Sequence, residues 1–363
     1  MSMQKILFTG GGTAGHVTPN LALIKRFQQA EWQVSYAGSE QGIEREIISK
    51  INIPYYALTT DKLRRHFTWQ NFLAPFKVLR GMGQAFLLCR RLRPQLVFSK
   101  GGFVAFPVVF GAWLNRIPVI AHESDLSPGL ANRLSFPFVQ RVCITFAEGA
   151  KFFADNKKVV VTGTPIRAEL FAGDAQRGRQ ICNFTETKPV LLVIGGGLGS
   201  GVVNAAIRRV LPQLLQDFQV VHLCGKGKID PALHEVEGYK QFAYLNEELA
   251  DVMACAEIVV SRAGANSLYE LLALRKPHVL IPLSTKASRG DQIENANYFA
   301  KQNLSTVIFE EELNDAVLLA QILKVHQQKT TIQQRLASFS LPDTTEVIYK
   351  LATSLINHDQ NKA

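Results

Sequence analysis

The 363-residue chain has only five cysteines: Cys89, Cys143, Cys182, Cys224 and Cys255. No two form a C-x-x-C pair or stand beside a histidine at zinc spacing. This scatter excludes a disulfide framework and a zinc finger, and fits a reducing cytoplasm. Long apolar runs are missing too. The longest, Phe103 to Leu114, falls short of the roughly 18–20 residues that span a bilayer. The apolar stretch at the N-terminus is too short for the core of a secretory signal. No Asp-x-Asp pair stands near a glycine loop, so no catalytic metal is expected, and no cofactor either. Acidic residues are scarce in one half only. Residues 1–165 hold 20 Lys and Arg against 9 Asp and Glu, whereas residues 166–363 hold 20 against 21. The basic half calls for an anionic partner: nucleic acid, an acidic membrane face or a phosphorylated substrate. No nucleic-acid recognition module is visible, and none is expected to bind.

What the chain does have is a duplicated phosphate-type loop. Lys5-Ile-Leu-Phe-Thr-Gly-Gly-Gly-Thr-Ala-Gly-His16 reads as a strand running into a glycine turn and a helix start, and Val190-Leu-Leu-Val-Ile-Gly-Gly-Gly-Leu-Gly-Ser200 repeats the pattern. Backbone N–H groups at such a turn point at an anion, and the helix dipole favours its charge. Neither loop completes the dinucleotide fingerprint, which argues against a nicotinamide enzyme. Short apolar runs alternate with helical patterns through both halves, as in parallel sheets covered on both faces. The fold class is α/β, with two Rossmann-like, doubly wound parallel-sheet domains facing each other across a cleft. Thr162-Gly-Thr-Pro-Ile-Arg167 marks the boundary, giving domains 1–164 and 165–342. A last helix, about 343–357, follows Pro342, and the sequence leaves open whether it crosses back to the first domain.

Several polar clusters fall where strands should end. His16 closes the first loop and suits a general base or a phosphate donor. Ser99-Lys-Gly-Gly102 is a further glycine turn, with Lys100 placed to aid anion binding. His122-Glu-Ser-Asp125 follows a very apolar strand, and Glu123 and Asp125 are candidates for acid–base work or hydroxyl binding. Ser261-Arg-Ala-Gly-Ala-Asn-Ser-Leu-Tyr-Glu270 puts Glu270 near the third turn of a helix, where a carboxylate suits a ribose diol. Asp291, Gln292 and Asn295 offer the donors and acceptors that sugar hydroxyls want. From Lys62 to Arg80, aromatic and basic residues interleave; Phe67, Trp69, Phe72, Leu73, Phe76, Lys77 and Arg80 suit an interfacial membrane contact. Each cluster alone also fits an ordinary helix start, surface loop or packed helix.

Taken in order, Gly11-Gly-Thr-Ala-Gly-His16, Gly101-Gly-Phe-Val104, His122-Glu123 with Gly129-Leu-Ala-Asn132, Gly163-Thr-Pro-Ile-Arg167, Gly195-Gly-Gly-Leu-Gly199, Ser261-Arg-Ala-Gly264 with Glu270, and Asp291-Gln-Ile-Glu-Asn295 resemble the MurG family of glycosyltransferases, family 28. The resemblance covers essentially the whole chain. It implies a GT-B fold and inverting transfer of N-acetylglucosamine from UDP-N-acetylglucosamine to an undecaprenyl-pyrophosphoryl-muramoyl-pentapeptide, lipid I to lipid II, in peptidoglycan synthesis. By the same resemblance the N-domain would hold the lipid acceptor at the cytoplasmic membrane face. Gly12, Ala14, His16, Gly101, Gly102, Glu123 and Asp125 would meet the acceptor. Thr13, Gly15, Arg167, Gly196, Gly197, Leu198, Gly199, Leu245, Ala265, Glu270, Asp291 and Gln292 would meet the donor, Leu245 through its backbone to uracil. His16 would be the base, with Asp125 as its rival. The chain departs from the family at Gly197-Leu198, where Ser-Gln is frequent, at Asp125 for Asn and at Asp291 for Gln. Two other readings stay open: a UDP-N-acetylglucosamine 2-epimerase, which the GT-B fold also supports, and a non-catalytic binder of UDP-sugars or lipid pyrophosphates.

Overall fold

The computed structural model describes residues 3–60, 70–185 and 187–360, with side chains at 70–75, 156 and 358–360 left out. It divides into two units, Met1–Ile166 with Pro342–Ala363, and Arg167–Leu341.

The first unit carries seven strands: β1 (Lys5–Thr9), β2 (Gln33–Ser39), β3 (Tyr55–Leu58), β4 (Leu96–Ser99), β5 (Val119–Glu123), β6 (Arg141–Ile144) and β7 (Val159–Val161). Their order across the sheet is β3-β2-β1-β4-β5-β6-β7, and every pairing is parallel. Strand side chains alternate between faces. Ile6 and Phe8 of β1 therefore pack with Leu23, Ile24 and Phe27 of the helix Thr18–Gln29, while Leu7 packs on the other face with Val108, Val109, Leu88 and Cys89. Both faces are buried, which is why β1 and β4 read as unbroken apolar runs. The C-terminal helix Thr344–Gln360 belongs to this unit: Ile348, Ala352 and Ile356 join the Phe27 cluster. Thr344 Oγ1 donates to Thr162 O at 2.6 Å, and Arg26 pairs with Glu346 at 2.9 Å while lying over the Tyr349 ring at 3.7 Å.

The second unit repeats the plan with six strands: β8 (Val190–Ile194), β9 (Gln219–Leu223), β10 (Tyr239–Phe242), β11 (Ala256–Ser261), β12 (His278–Leu280) and β13 (Thr306–Val307). The order is β10-β9-β8-β11-β12-β13, again all parallel. β13 is two residues long, shorter than the run Thr306–Phe309 suggests. Its pairing with β12 ends at Leu280–Val307, and Pro282 just beyond has no N–H to continue the ladder. In each sheet the chain works outward from one central strand, then returns to that strand's other side. The switch points lie between β1 and β4 and between β8 and β11, where open α/β sheets place their ligands. Both glycine loops leave the sheet there.

Candidate active-site elements in the two units

In the first unit, the loop after β1 rests on the turn after β4. Gly11 N donates to Gly101 O at 3.3 Å. Gly102 has a φ of +84°, and a side chain there would run into the Gly11 carbonyl, so the contact requires glycine. His16 lies in the short turn Ala14–His16, partly exposed, with Nδ1 3.2 Å from Lys100 O. A carbonyl only accepts, so Nδ1 carries the proton and Nε2 has the lone pair a general base needs.

Three sequence expectations change here. Lys100 does not reach for an anion. It is fully buried, with Nζ on Ser124 Oγ and 2.9 Å from His122 Nδ1. Burial pulls its pKa down to about 8, against the opposing pull of Glu123 and Asp125. His122 donates from Nε2 to Gly163 O at 2.7 Å, and burial followed by the Lys100 charge holds it well below the usual histidine range. Glu123 also turns inward. Its oxygens accept from Asp125 N, Gly129 N and Asn132 Nδ2 at 3.0, 3.1 and 2.8 Å. Burial, reinforced by Asp125, raises its pKa. Glu123 therefore shapes the loop that carries Asp125 rather than offering itself to a ligand. The amide of Gly12 is likewise engaged internally, donating to Glu44 Oε2 at 3.1 Å. Asp125 remains partly exposed on its loop.

In the second unit, the loop Gly195–Gly199 enters the helix Gly201–Arg209, which Ser200 caps by accepting from Val203 N at 3.2 Å. Gly199 has a φ of +67°, and a Cβ there would drive into the Cys224 carbonyl. Leu198 is 80% exposed at the loop tip. Lys228 donates from Nζ to the carbonyls of Leu198 and Gly199, at 2.9 and 3.0 Å. This holds the carbonyl ends of those peptides on one side, and sequence reading did not reveal it. Arg262, also missed, is buried and ties three segments together. It bonds Ser200 Oγ at 2.7 Å and Ile281 O at 2.9 Å, and pairs with Glu310 at 2.6 Å.

Arg167 and Glu270, 103 residues apart, meet at 3.4 Å. Glu270 sits in the second turn of the helix Ala265–Ala273, not the third, because the helix begins only after Gly264. Burial raises its pKa, and Arg167 pulls the other way. Asp291 opens the helix Asp291–Lys301 with Arg289 3.5 Å away, and Gln292 accepts from Leu283 N at 3.0 Å through Oε1. Asn295 is not available to a sugar: it is fully buried and donates to Ala263 O. The Leu245 side chain is buried just beyond β10.

On the helix Gln70–Leu92, Phe76, Leu79 and Leu87 are 62–70% exposed, and Lys77 and Arg80 are exposed beside them. Phe67 and Trp69, and the side chains of Phe72 and Leu73, lie outside the described residues. Among the described residues, no helix is long and apolar enough to cross a membrane, and no His, Cys, Asp and Glu cluster suits a metal ion.

Two parallel α/β units, each with a glycine turn at its switch point, match the GT-B class of fold, and comparison with known proteins agrees. The glycosyltransferase family 28 N-terminal domain matches residues 6–144 and the family's C-terminal domain matches residues 190–348. A Legionella pneumophila (strain Paris) protein is 56% identical over 343 residues, 94% of each chain. A Clostridium novyi (strain NT) protein is 51% identical over 352 residues, 97% of this chain and 98% of the relative. Both are named UDP-N-acetylglucosamine--N-acetylmuramyl-(pentapeptide) pyrophosphoryl-undecaprenol N-acetylglucosamine transferase. The crystal structure of Acinetobacter baumannii MurG shares the fold with a TM-score of 0.73 at 24% identity, covering 97% of this chain and 99% of that one. A Neisseria meningitidis UDP-GlcNAc 2-epimerase bound to UDP-GlcNAc also shares it, with a TM-score of 0.66 at 13% identity, covering 97% of this chain and 100% of that one. The chain belongs to glycosyltransferase family 28.

Proposed function

We propose that the chain carries out the reaction its relatives are named for. It transfers N-acetylglucosamine from UDP-N-acetylglucosamine to the 4-hydroxyl of the undecaprenyl-pyrophosphoryl-linked muramoyl-pentapeptide, turning lipid I into lipid II in peptidoglycan synthesis. The observation that carries this reading is 51–56% identity across 94–97% of the chain to relatives bearing that name. The epimerase shares the fold alone, at 13% identity.

The chemistry is one displacement at the anomeric carbon. The acceptor oxygen forms its bond as the bond to the β-phosphate oxygen of UDP breaks, with inversion. His16 takes the acceptor proton on Nε2, in the tautomer that Lys100 O selects. Charge growing on the leaving diphosphate meets Arg167 and the amides at the second loop, where the helix Gly201–Arg209 begins. Glu270 takes the ribose hydroxyls, Gln292 and Asp291 the sugar, and the Leu245 backbone the uracil. The acceptor pyrophosphate lies against the first loop and the Gly101–Gly102 turn. The exposed Phe76, Leu79 and Leu87 with Lys77 and Arg80 hold the chain to the anionic cytoplasmic face of the membrane.

The test is transfer of labelled sugar to a lipid I analogue beside an acceptor-free control. Acceptor-dependent product is expected. UDP release with N-acetylmannosamine and no acceptor would replace this reading with the epimerase.

A further inference from the structure

Glu44 lies on the helix Ile43–Ile48, and its side chain is completely buried. Oε1 accepts from Ser39 N at 3.0 Å and Ser39 Oγ at 2.5 Å, and Oε2 accepts from Gly12 N at 3.1 Å. Three glycines make room for it. A Cβ on Gly11 would come within 2.5 Å of Glu44 Cδ, one on Gly38 within 2.9 Å of its Cγ, and one on Gly42 closer still. No salt bridge to Glu44 is present among the described residues. A carboxylate taken out of water without a cation is a costly way to fill a core, and it persists only where donors replace the lost water. Here every donor belongs to a segment beside the first glycine loop or to the loop itself.

The same contacts limit where the loop can meet an anion. Gly11 N goes to Gly101 O and Gly12 N to Glu44, so its first two amides face the protein. His16 N turns back to Thr13 O at 3.1 Å, so the Thr13–Ala14 stretch, ahead of the helix Thr18–Gln29, is the part that can turn outward. A negative charge beneath Gly12 also pushes a second anion toward that end.

The geometry points to Glu44 as a positioning residue for the acceptor. It binds the Gly12 amide, fixes the first loop against the Gly101 turn, and confines the acceptor's pyrophosphate to the Thr13–Ala14 part of the loop, beside the base. This rests on the reading given under Proposed function. Glu44→Gln puts an NH2 where a carboxylate oxygen accepts, and so sets two donors against each other. The KM for a lipid I analogue should rise about tenfold at saturating UDP-N-acetylglucosamine, with the donor KM unchanged within about twofold. An unchanged acceptor KM, or a fall in kcat alone with a lower melting temperature, would show a merely structural carboxylate and overturn the inference. If that variant does not fold, Ser39→Ala removes one donor and keeps the carboxylate; its acceptor KM should rise about threefold, and no rise counts against the inference. Should the wild type show no acceptor-dependent transfer, the functional reading fails by itself. Calorimetric titration with farnesyl pyrophosphate in excess UDP then decides the loop. Binding about tenfold weaker in Glu44→Gln supports the assignment, and equal binding or none to either protein overturns it.

Discussion

The two glycine loops read almost alike, Gly10-Gly-Gly-Thr-Ala-Gly15 and Gly195-Gly-Gly-Leu-Gly199, yet charges of opposite sign brace them. Beneath the first lies a carboxylate, Glu44, which takes an amide of the loop. Behind the second lies an ammonium, Lys228, which takes two of its carbonyls. Peptide dipoles align head to tail, so a cation on the carbonyl side leaves the N–H side for an anion, whereas an anion on the N–H side uses that capacity up. A glycine-rich turn is thus not a phosphate site by composition alone. On the proposed reading, the second loop, whose Gly199 amide turns back to Gly196 O, keeps its N–H side toward the donor phosphates, and the first is held in place while its far end and His16 meet the acceptor.

Substitutions in the two loops should therefore separate. The largest effect is expected from His16→Ala. Removing the base should lower kcat by about 10²- to 10⁴-fold with both KM values little changed, as initial rates against each substrate would show. A kcat that falls less than tenfold would move the base to Asp125. Next comes Glu270→Gln on the donor side, which should raise the KM for UDP-N-acetylglucosamine about tenfold and leave the acceptor KM alone. Burial raises the Glu270 pKa, so protonation on acidification reaches it earlier than an ordinary glutamate. UDP affinity in the wild type should then fall on acidification more steeply than that of Glu270→Gln, and from a higher pH than an ordinary glutamate would give. Calorimetry at several pH values would reveal parallel curves if Glu270 does not touch the nucleotide. Smaller again is Lys228→Met, expected to raise the donor KM about threefold without moving the acceptor KM. A rise in both would erase the contrast between the loops.

The smallest effect concerns stability. Lys100 has a folded pKa of about 8 against an ordinary 10.5. The unfolded chain keeps its proton where the folded chain has lost it, so the stabilising contribution grows as pH rises from about 8 to 10.5 and is lost as pH falls back through 8. Melting temperatures of the wild type measured against Lys100→Met should show the wild type gaining a few degrees across that window. A constant difference would mean that Lys100 stays charged.

Much of this molecule was legible from residue order. The strand runs and the two switch-point loops leave periodic or compositional traces, because strands buried on both faces must be apolar and tight turns must use glycine, whereas the meeting of Arg167 with Glu270 leaves none. The polar side chains that brace those turns leave no such trace. Glu44 stands beside Glu46 in a short helix and reads as a solvated turn, and Lys228 reads as one more surface lysine. Lys100 and Glu123 were misread in the opposite sense, as ligand groups, because a charged residue at the end of a strand looks the same whether it points out or in. Asn295 misled for the same reason.

By itself, then, the order of residues determined two parallel α/β units, their glycine turns and the family to which the chain belongs, since each follows from local pattern summed over many positions. Only the tertiary structure decided which polar groups face a ligand and which face the protein. That choice depends on partners well removed in sequence: Gly12 for Glu44, His122 for Lys100, Ala263 for Asn295. A buried polar group goes wherever its hydrogen bonds can be completed, and no stretch of sequence around it records where that is.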